Sequence, residues 1–209
     1  KWNALSGLYR PVGKGLAMGL NGEYRLDDGA DYRTEFKQVE FDIGLRPLEL
    51  GLAWLNQTKL ITEEQTTTDS GLISHRLLNN THVNMRWTDT QVSAQYGFKY
   101  VDETIDAIDY SGYIDLIGTQ LRHHLTPKWD WGLHAQRLYD YELNDSRHSL
   151  GFSIGYIPQR NTWVSLGYNF AGFDDSDFDE AGYSAHGIYL KLRIKADQDN
   201  MRALKAYFQ

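Results

Sequence analysis

The chain has 209 residues, a formal net charge of −7 and no cysteine. An acidic balance argues against a nucleic-acid binder, which needs a basic surface for phosphate contacts, and the lack of Cys excludes both a disulfide framework and a thiolate metal site. No apolar run approaches the roughly 18–20 residues of a membrane-spanning helix, a test that is blind to β-barrels because only every second residue of their strands faces lipid.

Alternation of apolar with small or polar residues recurs almost from end to end, and period two is the primary strand signal. It predicts eleven strands at roughly 2–9, 15–26, 34–45, 48–60, 72–87, 91–101, 109–125, 129–142, 147–157, 162–172 and 183–196, with boundaries good to about 2–4 residues. Val39, Phe41, Ile43 and Leu45 alternate with Glu40, Asp42 and Gly44. Val83, Met85 and Trp87 alternate with Asn84 and Arg86, and Val92 to Tyr100 with Ser93, Gln95, Gly97 and Lys99. Trp131, Leu133, Ala135, Tyr139 and Tyr141 form a row that Arg137 interrupts. Leu150, Phe152, Ile154 and Tyr156 alternate with Gly151, Ser153 and Gly155, and Val164, Leu166, Tyr168 and Phe170 with Ser165, Gly167 and Asn169. In the last strand Ile188, Leu190, Leu192 and Ile194 alternate with Lys191, Arg193 and Lys195.

A soluble protein would turn the aliphatic rows inward and leave Lys and Glu outside. Here the second face is Gly, Ser, Asn and Gln instead, which suits the crowded polar interior of a membrane barrel. Several strands reach ten residues or more, and tilted membrane strands need about 9–11. Trp87, Trp129, Trp131 and Trp163 lie near strand ends, where aromatic girdles sit at headgroup level. The fold expected is all-β: an antiparallel transmembrane β-barrel of about twelve strands, eleven of them visible. A soluble lipocalin-like ligand-binding barrel is the competing reading.

The connections alternate in length. The short ones are 10–15, 46–47, 88–90, 126–128 and 158–161, and the longer, acidic ones are 27–33, 61–71, 102–109, 144–147 and 172–183. Outer-membrane barrels have short periplasmic turns and longer extracellular loops. The last strand then descends to a periplasmic C-terminus, and the first strand also descends. The chain begins Lys1-Trp2-Asn3, and we expect a processed product or fragment that lacks one ascending strand, or another odd number. Residues 1–196 form the barrel and 197–209 a periplasmic tail.

Three stretches carry a family resemblance: YSGYIDLIG (110–118), LTPKWDWGLHAQRL (125–138) and WVSLGYNFAGFDDSDFDEAGYSAHGIYLKLRIKADQ (163–198). They resemble the C-terminal outer-membrane β-barrel module of large, repeat-containing surface proteins of Gram-negative bacteria, over about residues 72–198. The final hairpin is its most specific part. The resemblance implies an anchor or translocator for a surface-exposed passenger, insertion by the barrel-assembly machinery, and no catalytic residue. Ala196 stands where that family more often has an aromatic, which leaves Ile194 or Phe208 to serve as the terminal signal.

Candidate chemistry is sparse. His123 and His124 are adjacent, so on a strand they face opposite sides. His75 and His82, seven apart, also lie on opposite faces. His124 and His134 can point inward from neighbouring strands with Arg122 and Gln136, as a lumen hydrogen-bond network. Ser74-His75 and Ser184/His186 supply the letters of a hydrolase without a G-x-S-x-G elbow. We therefore expect no enzyme, no cofactor and no metal site. The acidic run 174–180 reads as a solvated extracellular loop or as a weak divalent-ion bridge to lipopolysaccharide phosphates.

The lumen-facing candidates are Lys191, Arg193, Lys195, Arg122, His124, His134, Arg86 and Lys99, opposed by Glu23, Glu40, Asp42, Glu49 and Asp140. They either pair across the lumen and fill it or form the wall of an ion-selective pore. The lipid-facing candidates are Ile188, Leu190, Leu192, Ile194, Val164, Leu166, Tyr168 and Phe170. The expected location is the bacterial outer membrane, in contact with lipid and lipopolysaccharide. A porin-like small-solute or ion channel is the alternative to anchoring. A narrow or plugged lumen is expected, since twelve strands lie between filled eight-strand barrels and open sixteen-strand porins.

Overall fold

The computed structural model of the chain describes residues 1–47, 49–159, 161–172 and 186–194. Eleven strands pair in chain order into one antiparallel sheet. They are β1 (Trp2–Gly13), β2 (Leu16–Asp28), β3 (Tyr32–Leu45), β4 (Leu52–Thr67), β5 (Gly71–Trp87), β6 (Thr90–Ile105), β7 (Ile108–His124), β8 (Trp129–Asp140), β9 (Asp145–Gln159), β10 (Thr162–Ala171) and β11 (Gly187–Ile194). The number and order match the period-two reading. The sheet curls, because residues of β4, β5, β6, β7 and β11 line one cavity. Among the described residues no Cα of β1 lies within 8 Å of β11, so these two strands are its edges. Neighbours alternate in direction, and β1 and β11 therefore run the same way.

The expected alternation of short and long connections is not what the chain builds. At one end of the sheet, here the proximal end, the connections are residues 14–15, 46–51, 88–89, 125–128 and 160–161. At the distal end they are 29–31, 68–70, 106–107 and 141–144, with 173–185 outside the described residues. Segments expected as loops continue the ladder instead: Glu64 pairs with Glu35 and Thr66 with Arg33, and Glu103 pairs with Tyr110. Backbone pairing does not require apolar side chains, so the strands outrun the apolar pattern that marks them. β5 and β7 reach 17 residues, against the 9–11 or so that a tilted strand needs to cross a bilayer.

Two hairpins close in two residues with positive φ at both, Lys14 (51°) and Gly15 (82°), and Asp106 (49°) and Ala107 (66°). This is the turn whose twist matches that of paired strands. A side chain at Gly15 would also collide with the Arg46 carbonyl, so that position excludes other residues on two counts.

The burial is inverted relative to a water-soluble protein. Ile188, Leu190, Leu192 and Ile194 are 62–77% exposed, and Leu166 and Phe170 are close behind. The buried side chains are mostly polar and small: Ser74, Ser149, Ser165, Asn169, Gln95 and Asp130. Among the described residues the buried hydrophobics are Leu116 and Leu138, packed with Ile114 on the inner face of β7 and β8. The compact side of this sheet is its polar side.

Candidate functional site: the polar lumen wall

Register assigns each residue to a face. In the β10–β11 hairpin Val164, Leu166 and Tyr168 pair with Leu192, Leu190 and Ile188, while Trp163, Ser165 and Gly167 pair with Arg193, Lys191 and Tyr189. The first set is the outer row, joined by Phe170 and Ile194. The second faces the cavity. The same parity puts Arg122 and His124 of β7, His134 of β8, Arg86 of β5 and Lys99 of β6 on the inner face. Lys195 lies outside the described residues. His134 is opposite Gln120 and His124 opposite Asp130, four positions apart along the pair, so the two imidazoles do not form one site.

Charge on the inner face is divided between two walls. On β2 to β4 it is mainly acidic. Lys59 of β4 sits 3.6 Å from Glu40 of β3, and Arg76 of β5 is 2.7 Å from Glu63 of β4. Asn21 donates to Glu40 (3.1 Å) and Asp42 (3.3 Å), and Gln57 donates to Asp42 (3.2 Å). These contacts join adjacent strands. The expectation that opposite charges would pair across the lumen and fill it is thus not met at these residues.

The other wall, β7 to β11, is basic where Arg122, Lys191 and Arg193 gather near Trp163. Its indole Nε1 donates to Asp130 Oδ2 at 2.7 Å. The Arg122 guanidinium lies 4.2 Å from the ring centroid and that of Arg193 5.6 Å. Arg122 is also 3.8 Å from Asp130 Oδ1. Trp163 was expected in an outer girdle from its place at a strand end. It points inward instead, because it shares the parity of Ser165 and Gly167. Glycines make the room. A Cβ at Gly155 would collide with Asp130 and Trp163, one at Gly151 with His134 and Asn169, and one at Gly167 with Tyr189. The Gly row read from the sequence is therefore the space into which large polar side chains fold over the sheet.

Two cavities follow this wall. One of about 870 Å³ lies toward the proximal end, lined by Glu49, Leu55, Arg86 and Arg122 among others. The second, of about 580 Å³, is lined by Gln95, His134, Trp163, Ser165, Lys191 and other polar residues. His82, Ser93, Gln120, Arg122 and Arg193 border both, so the two adjoin. Among the described residues no three His, Cys, Asp or Glu side chains are grouped to hold a metal ion.

The outer face carries two aromatic belts. Toward the proximal end Trp129 stacks near Tyr156 (4.6 Å), and Trp131 lies between His123 (6.2 Å) and Phe152 (6.5 Å). Toward the distal end Phe98 meets Tyr113 (6.0 Å), and Tyr113 meets Tyr141 (5.2 Å). Tyr113 and His123 are ten residues apart on β7. At about 3.4 Å per residue and a tilt of about 40°, that is roughly 26 Å of height, close to the apolar band of about 25 Å between the girdles of outer-membrane barrels.

Sequence reasoning missed one feature of this face. Asn56, Thr58, Asn79 and Thr81, on β4 and β5, point outward in the middle of the band. Asn56 Nδ2 donates to Thr81 Oγ1 (2.6 Å) and Asn79 Oδ1 (3.3 Å), and Asn79 Nδ2 donates to Thr58 Oγ1 (2.8 Å). Thr81 Oγ1 returns a bond to Asn79 Oδ1 at 3.2 Å. The four satisfy one another, which lowers the cost of placing them in an apolar surface.

No protein-family model matches the chain, and no curated protein matches it either. Solved structures do. An anion-selective porin from Comamonas acidovorans superposes with a TM-score of 0.53 at 12% identity, covering 91% of this chain, which spans 58% of the length of that porin. A NanC porin overlaps with a TM-score of 0.44 at 7% identity, covering 93% of this chain and 99% of its own. The translocator domain of the autotransporter NalP from Neisseria meningitidis does so with 0.38 at 12% identity, covering 91% and 77%. With its single antiparallel sheet, polar interior and apolar exterior, the chain has the transmembrane β-barrel fold of the porins.

Proposed function

We propose that this chain forms the wall of a bacterial outer-membrane β-barrel whose polar lumen passes small hydrophilic solutes. The observation that carries this reading is the inversion of the sheet: aliphatic rows exposed between two groups of aromatic residues, and two adjoining cavities with many polar lining residues on the other side. Lipid covers the first and water fills the second. The free edges of β1 and β11 support closure by an odd number of further strands, because a bilayer leaves no backbone edge unpaired and a direct β1–β11 pair would be parallel. The distal strand ends, with Arg33, Glu35 and Lys37 on the outer face, extend past the band and suit the extracellular side, where they meet lipopolysaccharide. Lys191 and Arg193 then act by tuning which solutes pass, with no catalytic step.

A second reading is favoured by the final hairpin, whose WVSLGYNF run resembles the barrel module of large surface proteins. In it the barrel, inserted by the assembly machinery, holds or translocates a passenger. Conductance of the detergent-refolded barrel, extended by the strand or strands that close it, in a planar bilayer separates the two. Steady ohmic steps are expected for the passage reading. Stable insertion without conductance would leave anchoring.

A further inference from the structure

The cluster around Trp163 has more positive charge than its one carboxylate, Asp130, can balance. Arg122 and Arg193 lie against Trp163. Lys191 lies two residues before Arg193 on the same face of β11, and its Nζ is 5.0 Å from the Tyr189 ring. The described carboxylate in this cluster is Asp130, which is 1% exposed and already accepts from Trp163 at 2.7 Å. Among the described residues neither Lys191 nor Arg193 makes an ion pair with an acid. Arg122 is thus held by the Trp163 ring and by Asp130, Arg193 by the Trp163 ring and Lys191 beside the Tyr189 ring, and all three line the second cavity.

A second observation points the same way. Ser165, the register partner of Lys191, is 1% exposed, and its Oγ has no hydrogen-bond partner among the described residues. A buried hydroxyl without a partner costs free energy unless something fills the place. A tetrahedral oxyanion meets all of these needs. It brings several acceptor oxygens, matches guanidinium forks in pairs, and offsets the mutual repulsion of the cations.

We propose that Arg122, Lys191, Arg193 and Ser165 form a binding site in the lumen for the phosphate group of a small solute. The site rests on the reading of the lumen as water-filled. Trp163, pinned by Asp130 across Gly155, sets the positions of both arginines.

The test is calorimetric titration of inorganic phosphate into the detergent-refolded barrel, extended by the strand or strands that close it. Saturable binding is expected, weakened about tenfold or more in Lys191→Gln and in Arg193→Gln, as for loss of a charge-assisted hydrogen bond. Ser165→Ala changes no charge and little volume, and it should weaken binding severalfold even if the charge variants fail to refold. Lys59→Gln, on the opposite wall, should leave binding unchanged. Absence of saturable binding overturns the site. So does equal weakening by Lys59→Gln, which would assign the effect to the general field of the lumen, or equal affinity for acetate, which would remove the preference for phosphate. Conductance is measured on the same samples. Phosphate binding in a barrel that does not conduct upholds the site and removes the passage reading. Conductance without phosphate binding does the reverse.

Discussion

The hairpins β10–β11 and β4–β5 follow opposite rules. In β10–β11 every outward residue but Thr162, at the proximal end, is apolar or aromatic, and the inward ones that pair are Ser, Gly, Asn, Lys and Arg with two aromatics. In β4–β5 the outward row contains Asn56, Thr58, Asn79 and Thr81, while Leu55, Ile61 and Leu78 point into the lumen. Leu55 is 58% exposed to the cavity. Both hairpins belong to one sheet, and within each the paired backbone fixes which way a side chain points. Chemistry then adapts. An apolar residue is tolerated in a wet lumen, and polar residues are tolerated on the outer face when they bond to one another.

The sharpest way to break the comparison is a charge on the outer row. Leu190→Arg should cost about 2–4 kcal/mol near mid-membrane, measured by urea unfolding of the barrel in lipid vesicles. If Leu190→Arg is neutral, the outer row does not meet lipid. Next in size is Trp163→Phe, which leaves the buried Asp130 carboxylate without its indole donor. A loss of about 1–3 kcal/mol is expected in the same assay, whereas a true girdle tryptophan would tolerate Phe with little change. Asn79→Ala then sharpens the β4–β5 side. It removes one member of the bonded quartet and should cost about 0.6–1.5 kcal/mol. A gain in stability would mean that the quartet is not bonded in the membrane. The smallest effect is expected for Lys191→Gln, within about 0.5 kcal/mol, because its head lies in a water-filled space.

Much of the fold was legible because period two survives in most of the strands even where single residues deviate. All eleven strands and their order follow from it. The strand ends were not legible. Ile61–Thr67 and Asp102–Ile105 lose the apolar rhythm, yet pair residue by residue with their neighbours. That loss made hairpins look like long loops and removed the length argument for chain direction. At the site, Arg122, Lys191 and Arg193 were placed on the inner face by alternation alone, but their gathering around Trp163 was not. Register across β7, β8, β10 and β11 brings these residues together, and no single-strand pattern contains it. Trp163 misled because aromatic residues at strand ends serve both girdles and lumens. The signal that could have corrected it is local: Trp163 is in step with Ser165, Gly167 and Asn169, not with Val164.

The central claim is that the aliphatic row of β11 meets lipid and the alternate row meets water. The chain has no cysteine, so single Leu190→Cys and Lys191→Cys variants report without background. The measurement is labelling by a small, charged, membrane-impermeant thiol reagent in lipid vesicles, repeated after solubilisation in urea. The account predicts that Lys191→Cys is labelled in vesicles, while Leu190→Cys is labelled only after unfolding. Labelling of Leu190→Cys in intact vesicles, with Lys191→Cys protected, would contradict it.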